Sequence, residues 1–248
     1  MAKNTESNVY TVLFATGMVI IVGALLAFVA SSLKEKILEN KRIEKQQNIL
    51  YAMGVNENDD SSVNFVSKKN VESEFSKYIT KQIVITGTDI SENDKAYLID
   101  LKKEEALAKK ANYIRKLPLF IGEKDNQIFY IIPVRGKGLW DAIWGFVAVD
   151  NQMVVQGVYF DHAGETPGLG ANIKERFFMD DFKGEHIMDG DTFKGIATSK
   201  SNADPKNLNK TDFEVDAIAG ATITGTGLSA MLKKDLAMYI PYLKTLKQ

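Results

Sequence analysis

The chain has 248 residues, 45% of them apolar and 25% charged, with a formal net charge of −1. That balance excludes a disordered chain, and 18 Gly with only 5 Pro exclude a collagen-like or linker-like one. Thirty-one basic against 32 acidic residues give no pull toward nucleic acid; zero Cys removes disulfides, thiolate and iron–sulfur ligation and Cys nucleophiles together, and two His leave no His-rich metal site.

No charge interrupts the chain between Glu6 and Lys34, and the run Val9–Leu33 reads VYTVLFATGMVIIVGALLAFVASSL. As a helix it would extend roughly 37 Å, enough to cross a hydrocarbon layer of about 30 Å with some tilt. Tyr10 stands where an interfacial aromatic would, and Gly17 and Gly23 are tolerated in such a helix. A cleaved signal peptide has a shorter apolar region and a basic start, whereas MAKNTES carries one Lys and one Glu. Residues 1–33 are therefore read as a retained single-pass anchor. The flank after it holds Lys34, Lys36, Lys41, Arg42 and Lys45, and a count of Lys and Arg alone would put the large domain in the cytoplasm.

Leu33, Ile37, Ile43, Leu50 and Met53 recur at roughly helical spacing, so residues 34–54 read as a juxtamembrane helix ended by Gly54. The remaining 55–248 form one domain. Its first part predicts helices at 70–79 and 98–111 and an apolar run over 82–85. QIFYIIPV, IWGFVAVD and MVVQGVYFD then read as strands, with Pro133 marking a strand end or edge. A short helix is expected near 171–178, a strand at 193–198, and a last helix over 222–246 with Leu228, Met231, Leu232, Leu236 and Tyr239 on one side. Few strands and segregated helices predict an α+β fold, a mostly antiparallel sheet flanked by helices.

Three Gly-rich segments stand out. Gly136–Trp140 follows a strand, and Leu139 and Trp140 in it could stack on an aromatic ligand or pack in a core. His162–Ala171 contains Glu165, Thr166, Pro167, Gly168, Leu169 and Gly170; it could wrap a flat ligand or be a tight surface loop. His162 and Glu165, three apart, suggest acid–base work, but a lone His-x-x-Glu is a weak signal. Asp216–Gly227 leads into the final helix. There Gly220 and Ala221 allow close approach of a ligand, and Thr222 and Thr224 place hydroxyls where a phosphate would be stabilised. The plain alternative is a Gly-rich entry to an ordinary helix. Neither a Walker A loop nor a dinucleotide fingerprint is present. The acidic residues of 180–191 lack the spacing of a calcium loop, so no metal is expected.

Taken together, the apolar anchor, Gly138-Leu139-Trp140, Glu165-Thr166-Pro167-Gly168-Leu169-Gly170 and Asp216…Gly220-Ala221-Thr222 before a final helix resemble the NqrC family of the Na+-translocating NADH:quinone reductases. The last two segments also look like the RnfG family of the Rnf electron-transport complexes. The resemblance implies FMN bound covalently as a phosphoester on Thr222, with Asp216 opening the attachment motif and Ala219 standing where Ser or Thr is usual. It implies that Glu165–Gly170, Leu139 and Trp140 line the flavin ring, that a separate flavin transferase using FAD and Mg2+ matures the protein, and that no substrate base is needed. The partners implied are multi-pass membrane subunits, a second flavin subunit, an iron–sulfur centre and membrane lipid, in a complex coupling NADH and ubiquinone to sodium transport. The location implied is the bacterial inner membrane with the flavin domain periplasmic, against the charge count. A membrane-anchored FMN sensor or docking module is the alternative from another class.

Overall fold

A computed structural model describes residues 7–59, 62–200, 204 and 206–246. The chain divides into two compact units, Met1–Arg42 and Ile43–Gln248. The first contains helix α1, Asn8–Ser32, whose N-cap Ser7 accepts a hydrogen bond from the Tyr10 N–H at 3.1 Å. None of its side chains is buried in the protein, and by length and composition it can cross a membrane.

Helix α2, Lys34–Ala52, begins in the first unit and ends in the second. Ile49 to Met53 are buried in the core of the second unit, so the boundary falls inside this helix and not at 54/55 as expected from sequence. Its end is a Schellman motif: Gly54 has φ +76°, its N–H donates to Tyr51 O at 2.9 Å, and Val55 N–H donates to Leu50 O at 2.9 Å. A Cβ at Gly54 would be strained by that φ alone.

Helix α3 (Val71–Tyr78) leads into a six-stranded antiparallel sheet of β1 (Ile79–Thr86), β2 (Asp89–Glu92), β3 (Lys116–Lys124), β4 (Gln127–Lys137), β5 (Ala142–Val149) and β6 (Val155–His162). The order is β2-β1-β3-β4-β5-β6, an up-and-down arrangement apart from the exchange of the first two strands. Residues 129–134 of β4 are all buried, so the centre of the sheet is covered on both faces. The long C-terminal helix α6, Thr222–Ala237, lies on one face, with Met231 against Gly136. The end of α2 lies on the other, with Met53 against Gly122, which pairs with Phe129. Odd and even residues of β4 point to opposite faces, which fixes this assignment.

Pro133 does not mark an edge. It sits inside β4, opposite Phe146 of β5, but pairing of β4 with β3 stops at Ile131↔Phe120. Pro118 of β3 lies past the same point. The two strands part where both prolines withhold an N–H, and α6 and its continuation fill the opening. Tyr239 donates its hydroxyl to Pro118 O at 3.0 Å, and the Asp235 carboxylate accepts the Arg135 N–H at 2.7 Å. Asp235 is fully buried; burial pushes its carboxyl up, opposed by the Arg135 N–H and by Lys234 and Arg115. Replacing Asp235 with Leu strands a strand N–H and removes the carboxylate beside the mostly buried Arg115, and should cost roughly 3 kcal/mol in urea unfolding, with Asn costing clearly less because its oxygen still accepts.

Other expected elements shift. The helix at 98–111 is a 3-10 turn at Ala96–Leu98 followed by α4, only Leu101–Leu107, started by the Asp100 carboxylate on the N–H groups of Lys102 and Lys103. The helix near 171–178 is a 3-10 turn, Gly170–Lys174, and then α5, Arg176–Met179. Residues 193–198 are not one strand. Strands β7 (Met188–Asp189) and β8 (Thr192–Phe193) form one small ladder; β9 (Ala197–Thr198) and β10 (Glu214–Val215) form another, parallel one. The last helix breaks after α6 and restarts as α7, Ile240–Thr245, with Pro241 in the first turn where a missing N–H costs nothing.

Candidate functional site

Strands β4 and β6 both pair with β5, so the turn leaving β4 and the loop leaving β6 emerge at the same end of the sheet. The first turn of α6 arrives at that end as well. All three Gly-rich segments therefore meet, and they meet on Glu165.

Glu165 is only 4% exposed. Its Oε1 accepts the backbone N–H of Trp140 at 2.9 Å and that of Asp141 at 3.4 Å; its Oε2 accepts the Thr224 hydroxyl at 2.6 Å. Burial pushes the carboxyl up, but the Thr224 hydroxyl and the N–H groups of Trp140, Asp141 and Leu139 outweigh it and hold the group below the usual carboxylate range. It is a buried carboxylate that stays ionised. Two glycines make room for it. A Cβ at Gly138 would lie 2.5 Å from Oε1, and one at Gly170 would lie 2.6 Å from Oε2 and 2.5 Å from Thr224 Oγ1.

His162 has a different place from the one its spacing suggests. Its Nδ1 accepts the Glu165 backbone N–H at 3.1 Å, so it closes the loop and forms no side-chain acid–base pair with that residue. Thr166 accepts the Trp140 indole N–H at 3.1 Å, and its carbonyl takes the N–H groups of Leu169 and Ala171. Gly168 supplies the positive φ, +75°, that the turn before Leu169 needs.

Thr222 is exposed at the first position of α6, with no hydrogen bond to its hydroxyl among the described residues. The N-cap is Ala221, which has no side chain to accept from the first-turn N–H groups. That leaves the positive end of a 16-residue helix open to solvent. Around it stand Leu139, Trp140 (66% exposed), Leu169 and Ile223, all large apolar side chains left uncovered. Leu169 reaches over Gly220, whose φ is +72°. The arrangement suits a ligand with an anionic group at the helix end and a flat apolar ring beside it.

Thr224 is brought to the site but is buried, its hydroxyl spent on Glu165. Asp216 lines a cleft of about 580 Å3 with Ser199, Asp204, Asn207, Asp212 and Glu214. Burial, with help from Asp204, pushes its carboxyl up. Ile223 and Thr226, which donates to Thr222 O at 2.9 Å, were not singled out from sequence; an isolated Ile between two Thr gives no signal.

Beside this cleft Glu185 is wholly buried, with Oε1 3.0 Å from the Asn207 amide and 3.3 Å from Lys210 Nζ. Burial pushes its carboxyl up to about 7 despite both partners. The folded protein therefore binds a proton that the unfolded chain releases between about pH 4.5 and 7, and stability falls as pH rises through that window. Glu185→Gln should remove this slope: a gain of about 2–3 kcal/mol in urea unfolding at pH 8 and almost none near pH 4.

Comparison with known proteins gives a consistent result. The FMN-binding domain family matches residues 138–237, the span from Gly138 to the end of α6. The C subunit of the Na(+)-translocating NADH-quinone reductase of Pseudomonas aeruginosa is 29% identical over 245 residues, covering 92% of this chain and 91% of the relative. That of Neisseria meningitidis is 27% identical, covering 100% and 98%. The crystal structure of the same reductase component from Parabacteroides distasonis superposes with a TM-score of 0.71 at 31% identity, over 85% of this chain and 96% of that one.

Proposed function

The chain belongs to the NqrC family of the Na+-translocating NADH-quinone reductases, and on that premise we propose that it is an FMN-carrying electron-transfer component of such a complex, with the flavin phosphate esterified to Thr222. The observation that carries this reading is the junction at Glu165, which gathers all three Gly-rich segments around one exposed hydroxyl at an uncapped helix end. Bound there, FMN supplies one- and two-electron chemistry that no side chain of this chain offers.

The protein's own part is placement. The first-turn N–H groups of α6 and its dipole stabilise the phosphoester charge. Leu139, Trp140, Leu169 and Ile223 offer apolar surface to the ring, and the Thr166 hydroxyl holds the indole of Trp140 in one orientation. A phosphoester removes the need for reversible flavin binding, which suits a domain facing a compartment without free flavin. Electrons would come from an iron–sulfur centre and pass to a second flavin subunit, and sodium would move through multi-pass partners, because α1 offers no Asp, Glu, Lys, Arg or His. A flavin transferase would install the cofactor. Helix α1 would anchor the domain in the inner membrane with its bulk in the periplasm; protease digestion of the domain in intact spheroplasts is expected, and protection would overturn that orientation.

The attachment is tested on the full-length protein co-produced with a flavin transferase. Denaturing gels under ultraviolet light should show a fluorescent band. Peptide mass mapping should place one FMN, less one water, on the peptide containing Thr222. A protein that releases all flavin on denaturation would overturn the ester.

A further inference from the structure

We propose that Glu165 is a positioning residue that decides which threonine receives the flavin: it withdraws Thr224 from attachment and fixes the first turn of α6 so that Thr222 is presented. The proposal rests on the reading of Thr222 as the attachment point and adds the cause of the choice.

Three threonines stand at alternate positions of α6, Thr222, Thr224 and Thr226, and each could in principle form the same ester. Attachment joins the hydroxyl oxygen to the flavin-side phosphorus of a flavin dinucleotide; the phosphoanhydride bond breaks, AMP leaves, the hydroxyl proton passes to a base of the transferase or to water, and nothing is oxidised or reduced. The hydroxyl must therefore be reachable and free to lose its proton. Thr224 is 1% exposed and gives its proton to Glu165 Oε2 at 2.6 Å. Thr226 is exposed, but it donates to Thr222 O from one turn further along, past the open N–H groups that would receive the phosphate. Only Thr222 combines exposure with the uncapped end.

The junction is built for this. Oε1 of Glu165 is held by two backbone N–H groups of the turn after β4, so the carboxylate cannot swing away from Thr224. Gly138 and Gly170 leave room for the carboxylate where any Cβ would displace it. The carboxylate thus couples the turn bearing Leu139 and Trp140, which would lie along the ring, to the turn of α6 that would bear the phosphate.

The full-length protein is co-produced with a flavin transferase as wild type, Thr222→Val, Thr224→Val, Thr224→Ser, Glu165→Gln and Glu165→Ala. Covalent flavin is followed by gel fluorescence against time and located by peptide mass, with thermal unfolding measured alongside. We expect Glu165→Ala to load at least tenfold more slowly, with part of the label on Thr224, and Thr224→Val to load at least tenfold more slowly on Thr222. Thr224→Ser, which keeps the bond to Glu165, should load like wild type on Thr222 alone. Where Glu165→Ala fails to fold, Glu165→Gln and the two Thr224 variants carry the test. Loading of Glu165→Ala or Thr224→Val within threefold of wild type, on Thr222 alone, overturns the proposal. Flavin retained by Thr222→Val overturns the attachment reading itself, so the two failures are distinct.

Discussion

Thr222→Val should yield a protein that folds with the wild-type Tm and carries no covalent flavin. The two side chains have nearly the same shape, and Thr222 is exposed with no hydrogen bond to its hydroxyl among the described residues, so little is lost from the fold. A surface change of this kind is worth within about 0.5 kcal/mol. The chemistry loses the one exposed threonine oxygen at the uncapped helix end, so the effect on loading is complete and not graded. Thr224→Val makes the contrast two residues away. It strands Glu165 Oε2 in a buried site and should cost about 1–3 kcal/mol in unfolding; the attachment oxygen remains, so loading is slowed at least tenfold but not abolished. Gel fluorescence and thermal unfolding of the two variants side by side separate loss of the attachment oxygen from loss of its positioning. A fluorescent band that persists in Thr222→Val would refute the assignment.

The strands nearest the site were legible because β4, β5 and β6 carry β-branched and aromatic runs with clear boundaries. Strand β3 was not, since Pro118 interrupts it and one of its two partners, β1, lies 30 to 43 positions earlier. The helix expected over 98–111 overran because a charged stretch keeps helical periodicity after α4 has ended at Leu107. The glycines marked three segments that the fold brings together at Glu165, but not the reason for them. Gly138 and Gly170 are small to admit Glu165, a residue of the protein itself, and not a ligand. That role depends on a bond between positions 165 and 224, 59 residues apart, which only the sheet order brings about. His162 misled for the same reason: the local spacing to Glu165 was real, but the nitrogen meets a backbone N–H.

Gly227→Val should damage fold and site together. A Cβ at Gly227 would overlap the carbonyl of Lys137 and come 3.4 Å from Gly138 Cα. These are backbone atoms of the last residues of β4 and the turn that follows, so no rotamer change relieves the overlap. One turn further along the helix, a Cβ at Gly136 would sit 2.6 Å from Met231 Cβ, so helix and strand are in near-backbone contact over that whole stretch. Valine would push α6 off the end of β4, at a cost of about 3 kcal/mol for overpacking, reduced by less than about 1 kcal/mol for replacing a helical glycine. For a domain of this size that lowers Tm by roughly 5–10 °C. The same displacement separates Thr224 from Glu165 and the Trp140 turn, so flavin loading should fall together with Tm. Gly164→Ala is the control: its Cβ would meet only Asp141 Cβ at 3.9 Å, and its Tm and loading should match wild type. A wild-type Tm in Gly227→Val would mean that α6 does not rest on β4, and would remove the physical basis for the junction at Glu165.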